Sequence, residues 1–129
     1  MKYGTVVLAD THFPMLEGVR SLLDEWFDSV VMVADESSLL RTVEKLHPDL
    51  AIVDVSFPCS IGKNIVAVLR ERFPDMKLVA LSLHDEQVAV DRVLSSGASA
   101  FVHKSAATTD LIPALHEVRA GRVYISGKY

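Results

Sequence analysis

Five short apolar runs rich in β-branched residues recur along the chain, at Thr5 to Ala9, Val30 to Ala34, Leu50 to Val53, Leu78 to Ser82 and Ser99 to Val102. They constrain the fold more than any other feature. Their apolar residues are consecutive rather than alternating, which is the pattern of strands covered on both faces of a parallel sheet. Segments of helical period separate them. Leu16, Val19, Leu23, Trp26 and Phe27 fall on one face of a first helix, and Leu39, Val43 and Leu46 on one face of a second. Three more helices are expected, over Ile61 to Arg72, Asp85 to Ser95 and Thr109 to Ala120, the last with Pro113 near its first turn, where a missing N–H does least harm. Gly97 and Gly121 stand where helix ends want a left-handed residue. Five βα repeats without an internal linker predict one doubly wound α/β domain with right-handed crossovers.

Composition narrows the function. A chain of 129 residues, half of them hydrophobic, is the size of one folded domain. Thirteen basic residues against 17 acidic ones give a net charge of -4, the wrong sign for a module that grips nucleic acid by itself. The single cysteine, Cys59, permits neither an internal disulfide nor a multi-thiolate zinc site. No apolar run approaches the roughly 18 residues of a membrane span, so a cytoplasmic setting without membrane contact is expected.

In a doubly wound sheet, ligands gather at the carboxyl ends of the strands. Strand one ends at Asp10-Thr11-His12, strand three at Asp54, strand four at Ser82-Leu83-His84, and strand five leads through His103 to Lys104. Two carboxylates, a hydroxyl and an ammonium thus converge on one rim. Any one of them could be a helix cap, but together they suit phosphoryl transfer: a carboxylate can attack phosphorus, a lysine neutralises the phosphoryl oxygens, and magnesium can share two carboxylates. Which carboxylate is the nucleophile stays open at this level.

The segments Leu8-Ala9-Asp10-Thr11-His12, Pro48 through Asp54 to Pro58, Leu81-Ser82-Leu83-His84-Asp85 and Gly97 through Phe101 to Lys104 resemble the receiver domain of bacterial two-component response regulators. The likeness covers nearly the whole chain. His12, Glu17-Gly18, His84-Asp85 and the ending Ala120 to Ser126 are similar to receivers attached to LuxR-type helix-turn-helix domains. The resemblance implies a flavodoxin-like (βα)5 fold with a five-stranded parallel sheet in the order 2-1-3-4-5. Residues 1–129 would form a single receiver domain, with a DNA-binding output domain expected beyond residue 129. It makes Asp54 the phospho-acceptor, assisted by Lys104 and Ser82. Asp10, Asp54 and the Ser56 backbone carbonyl become the magnesium ligands, Ser82 and Phe101 the switch pair, and His84 a pocket-border residue. The implied partners are a sensor histidine kinase, a second copy of the chain, and DNA through the output domain alone. The implied protein is a self-phosphorylating signalling domain, not a metabolic enzyme.

The sequence departs from the family pattern at four points. Thr11 stands where a second acidic residue is usual, so magnesium is expected to bind weakly. Cys59 and Ile61 replace a usual glycine and a usual acid, and Ser105 replaces a common proline after the lysine. Thr11 also supports an alternative reading, a degenerate pseudo-receiver that serves as a phosphorylation-independent interaction or dimerisation module. A flavin, nucleotide or phosphatase site would need a Gly-rich loop after strand one, or a second aspartate two residues after Asp10, and the chain offers Thr11-His12-Phe13-Pro14. The five histidines lack ligand spacing. Trp26 reads as helix-to-sheet packing, and Arg70-Glu71-Arg72, Arg119, Arg122 and Lys128 read as solvated faces.

Overall fold

The computed structural model describes residues 3–11, 13–59, 64–83 and 87–126, with backbone alone for 13–16. The strands are β1 (Tyr3–Ala9), β2 (Phe27–Val33), β3 (Leu50–Asp54), β4 (Lys77–Ser82), β5 (Ala100–His103) and β6 (Tyr124–Ile125). The helices are α1 (Phe13–Trp26), α2 (Glu36–Leu46), α3 (Ile65–Arg72), α4 (Gln87–Ser95) and α5 (Ala107–Arg119), and a single 3-10 turn, Lys104–Ala106, joins β5 to α5. All strand pairs are parallel, in the order β2-β1-β3-β4-β5-β6. None of the described helices is long and apolar enough to cross a membrane.

The alternation of a pleated strand sorts the core into two layers. Val7, Ala9, Ala51, Val53, Leu78, Ala80 and Phe101 face α2, α3 and α4, where Leu39, Val43, Ile65, Leu69, Val90 and Val93 meet them. Val6, Leu8, Leu50, Ile52, Val79, Leu81 and Val102 face α1 and α5, against Val19, Leu23, Leu111, Leu115 and Val118. Each such aliphatic side chain contributes roughly 1.5–3 kcal/mol by leaving water. The continuous apolar runs are therefore strands with both faces covered, as their pattern predicts.

The expected order 2-1-3-4-5 is present, but a sixth strand extends it. β6 follows the positive-φ Gly121 and pairs Tyr124 with Ala100 and Ile125 with Phe101. The β5 edge would otherwise expose unpaired backbone groups. Ser126, itself buried, donates its N–H to the Phe101 carbonyl at 2.8 Å and its hydroxyl to Asp110 Oδ2.

Other expectations shift locally. Phe27 begins β2 rather than continuing α1, though it stays buried against the same layer. Leu46 is exposed because α2 ends there, and His47 closes the helix in the left-handed region at φ 49°. The third helix is described from Ile65, after the Asn64 cap; residues 61–63 and 85–86 lie outside the described residues. Because α5 starts at Ala107, Pro113 sits inside the helix rather than in its first turn, and the Thr109 carbonyl loses a helical N–H partner. Arg70 is not solvated: Nε and Nη2 donate to the Gly97 carbonyl at 3.1 and 2.9 Å, and Nη1 to the Pro74 carbonyl at 2.6 Å. Gly97 keeps its expected positive φ, 116°, and a Cβ there would lie 2.6 Å from Arg70 Cγ. Trp26 packs where α1 and β1 meet α5, stacked on Tyr3 and edge-on to His116, while the Arg119 guanidinium lies 3.7 Å over the Tyr3 ring.

Candidate functional site

β1, β3, β4 and β5 lie side by side and parallel, so the residues that end them share one rim. Asp10 follows β1, Asp54 ends β3, Ser82 ends β4 and Lys104 follows β5; all four are buried. Polar groups at this depth persist only when paired. Lys104 Nζ stands 2.7 Å from Asp10 Oδ2 and 2.6 Å from Asp54 Oδ2, and the lysine side chain is 3% exposed. One ammonium thus bridges two carboxylates that would otherwise repel each other in a poorly solvated site.

The second oxygen of Asp54 is held from the following loop. Ser56 donates both its N–H and its hydroxyl to Asp54 Oδ1, each at 2.9 Å. Phe57 anchors that loop, with its ring in the core and its N–H bonded to the Asp54 carbonyl at 2.9 Å. Burial by itself would push the Asp54 carboxyl up; the Lys104 ammonium and the two Ser56 bonds outweigh it and hold the group below the ordinary carboxylate range. For Lys104, burial acts downward, and the hydrogen bonds and charges of Asp10 and Asp54 raise it above the usual lysine value. The cluster is an ionised aspartate locked to a protonated lysine.

Ser82 is opposite His103 in the β4–β5 register. Phe101 is fully buried three residues before Lys104, in the layer under α4. Thr11 is exposed at the rim, and His84 lies outside the described residues. Two contributions escape the sequence reading, the Ser56 hydroxyl and the His103 ring. The first had a signal in the Asp-x-Ser spacing, since a serine two residues on can reach back to a carboxylate. The second had none, because the 3-10 turn that it caps was not foreseen.

Among the described residues, no three His, Cys, Asp or Glu side chains gather as metal ligands. Asp10 and Asp54 nonetheless offer hard carboxylate oxygens on one rim, and magnesium is commonly held through one or two carboxylates with water completing its shell. The two carboxylates fit magnesium in kind.

Residues 6–116 match the family model of the response regulator receiver domain. The chain is 34% identical over 125 residues to the transcriptional regulatory protein DegU of Brevibacillus brevis, covering 95% of this chain and 53% of DegU. It is 28% identical over 125 residues to the nitrate/nitrite response regulator protein NarL of Escherichia coli (strain K12), covering 95% and 58%. The chain spans about half the length of the curated relatives it matches. Among solved structures, the non-phosphorylated receiver domain of the stress response regulator RcsB from Escherichia coli has a TM-score of 0.86 at 26% identity, covering 96% of this chain and 98% of that one. RcsB from Salmonella enterica serovar Typhimurium, bound to promoter rprA in the presence of the phosphomimetic BeF3-, has a TM-score of 0.80 at 27% identity, covering 92% and 62%. By name these relatives are a regulator of transcription, a nitrate/nitrite response regulator and a stress response regulator, and receiver domains of this kind generally bind Mg2+ at their acidic site and interact with sensor histidine kinases. With the matched region enclosing Asp10, Asp54, Ser82 and Lys104 on a sheet of the expected order, the chain belongs to the response regulator receiver domain family, as a receiver of the LuxR/NarL type.

Proposed function

We propose that Asp54 accepts a phosphoryl group from a phosphohistidine of a sensor kinase, and that this modification controls a transcriptional output encoded beyond residue 129. The observation that carries the reading is the buried, ionised Asp54 with the Lys104 ammonium at 2.6 Å. A carboxylate attacks phosphorus as the anion, and Lys104 with Ser56 keeps it anionic. One carboxylate oxygen forms the bond to phosphorus as the P–N bond breaks, and the electron pair of that bond stays on the imidazole nitrogen, which takes a proton. Lys104 then neutralises the phosphoryl oxygens as a point charge, and the Ser82 hydroxyl donates a further bond. Magnesium, held by Asp10, Asp54 and the Ser56 carbonyl, supplies charge neutralisation when bound, and Thr11 makes that binding weak. The new anionic group draws Ser82 and biases Phe101, altering the β4–β5 surface that a second copy of the chain or an output domain would read. RcsB's promoter complex with a phosphomimetic supports DNA binding through such an output domain. At a net charge of -4, the receiver itself takes no part in sequence recognition.

A second reading, the pseudo-receiver, is favoured by one observation: the third acidic position is the neutral, exposed Thr11. Incubation with acetyl phosphate and magnesium, followed by intact-mass measurement, separates the two. The first reading expects one added phosphoryl mass, absent from Asp54→Ala; the same mass on that variant would overturn it. No added mass on either protein would favour the pseudo-receiver.

A further inference from the structure

Lys104 reaches the two carboxylates from the first residue of a single 3-10 turn, placed directly where β5 ends. Its aim depends on how that corner is held. The first N–H groups of such a turn lack internal partners, and Ser105 is no proline, so no ring fixes its φ. His103 closes the corner from the other side of the lysine. Its Nδ1 accepts the Ser105 N–H at 3.2 Å and lies 2.7 Å from the Ser105 hydroxyl. A backbone N–H can only donate, so Nδ1 is the acceptor of this cap. The residues flanking Lys104 are therefore tied to each other by a side chain. The next corner has no equivalent, since Ala106, which caps α5, has no side chain for the task. His103 is also the register partner of Ser82, so the same residue borders both groups assigned to the phosphoryl oxygens.

We infer that His103 is a positioning residue: by capping Ser105 it fixes the turn from which the Lys104 ammonium is delivered between Asp10 and Asp54. The inference rests on the phosphorylation reading for its kinetic consequence but not for its structural one. Asparagine tests it, because an asparagine oxygen can accept the N–H two residues on while lacking the imidazole.

The experiment compares the native chain, His103→Ala, His103→Asn and Ser105→Ala by two measurements. The first is the NMR signal of the Lys104 ammonium, which exchanges slowly only while buried and hydrogen-bonded. The second is the rate of phosphoryl gain from acetyl phosphate with magnesium, followed by intact mass. His103→Ala is expected to lose the protected ammonium signal and to slow phosphorylation about tenfold or more, since small misplacements of a charge-stabilising group act strongly on rate. His103→Asn should restore both to within about threefold, and Ser105→Ala, which keeps the N–H, should fall between. An intact Lys104 signal in His103→Ala overturns the inference. So does equal loss in the Ala and Asn variants, which would mean that the imidazole acts otherwise than as a cap. If the native chain gains no phosphoryl mass, the phosphorylation reading fails, and the ammonium signal alone decides the role of His103.

Discussion

The two ends of the sheet carry the same kinds of charged residue to opposite effect. At the carboxyl end, the buried Lys104 ammonium lies within 2.7 Å of both Asp10 and Asp54, and Asp54 and Lys104 are each shifted toward the charged form. At the amino end, a cavity of about 660 Å³ is bordered by Phe73, Leu115, Arg72, Asp75 and Lys77. The charges around that end are spent in solvent: Arg72 meets Glu44 at 3.4 Å with both side chains about half exposed or more. Proximity of opposite charges is thus common to both ends, and burial is what differs. Water screens the pairs at the amino end and leaves them little energy, whereas at the carboxyl end each removed charge strands another.

The largest test of that contrast is Lys104→Met, which leaves two buried carboxylates facing each other. Urea unfolding at pH 7 should show a loss of about 3 kcal/mol or more, and Asp54→Asn in the same chain should recover part of it, as coupled neighbours are not additive. If Lys104→Met is as mild as an exposed change, the contrast is broken.

Gly97→Ala comes next, because it adds backbone strain at φ 116° and pushes a Cβ into Arg70. A cost of about 2 kcal/mol is expected. In the Arg70→Ala background the 2.6 Å contact with Cγ disappears while the 2.9 Å contact with Cβ remains, so a double-mutant cycle in urea should show partial non-additivity. Strict additivity would mean that the Arg70 side chain beyond Cβ adds nothing to the strain.

At the carboxyl rim, Thr11→Asp adds a third carboxylate beside the proposed magnesium site. Magnesium titration should show binding tightened about tenfold, equivalent to ~1.4 kcal/mol, with some loss of metal-free stability as a third negative charge joins the cluster. Equal affinities would place Thr11 outside the metal shell. At the other end, Arg72→Met should change stability by no more than about 0.5 kcal/mol, and a loss rivalling that of Lys104→Met would erase the distinction.

The smallest effect concerns Glu117, whose carboxyl the Arg122 bond at 2.6 Å lowers from the ordinary value. A lowered carboxyl contributes stability above its usual range near 4.5 and loses it as pH falls through the lowered value. Glu117→Gln should therefore fall slightly short of the native chain in thermal midpoint at pH 7 and converge with it in acid. A deficit that persists at low pH would mean that the pair acts through packing instead of charge.

Much of this molecule was legible before folding was considered, and the reasons are local. The apolar runs from Val6 to Ala9 and Leu50 to Val53 needed two covered faces whatever their neighbours, and Asp54 had to lie at a strand end because the run stops there. Harder to read were the places where distant segments meet. Arg70 looked like one charge in a solvated triplet, and only the approach of the α4–β5 turn gave its guanidinium carbonyls to bind. Pro113 looked tolerable because the start of α5 was expected two residues later than it falls.

The sequence by itself determined the layers and the cast of the rim, since hydrophobic period and residue chemistry act within a few residues of chain. Tertiary structure decided the rest. It set the sixth strand, which forms because the β5 edge has unpaired backbone groups and Ser126 finds Asp110. It also placed one ammonium between two carboxylates that lie 94 and 50 residues before it in the chain. The ammonium and its two carboxylates are joined by no local rule, and the strength of that contact comes from a burial that exists only once the sheet has closed over it.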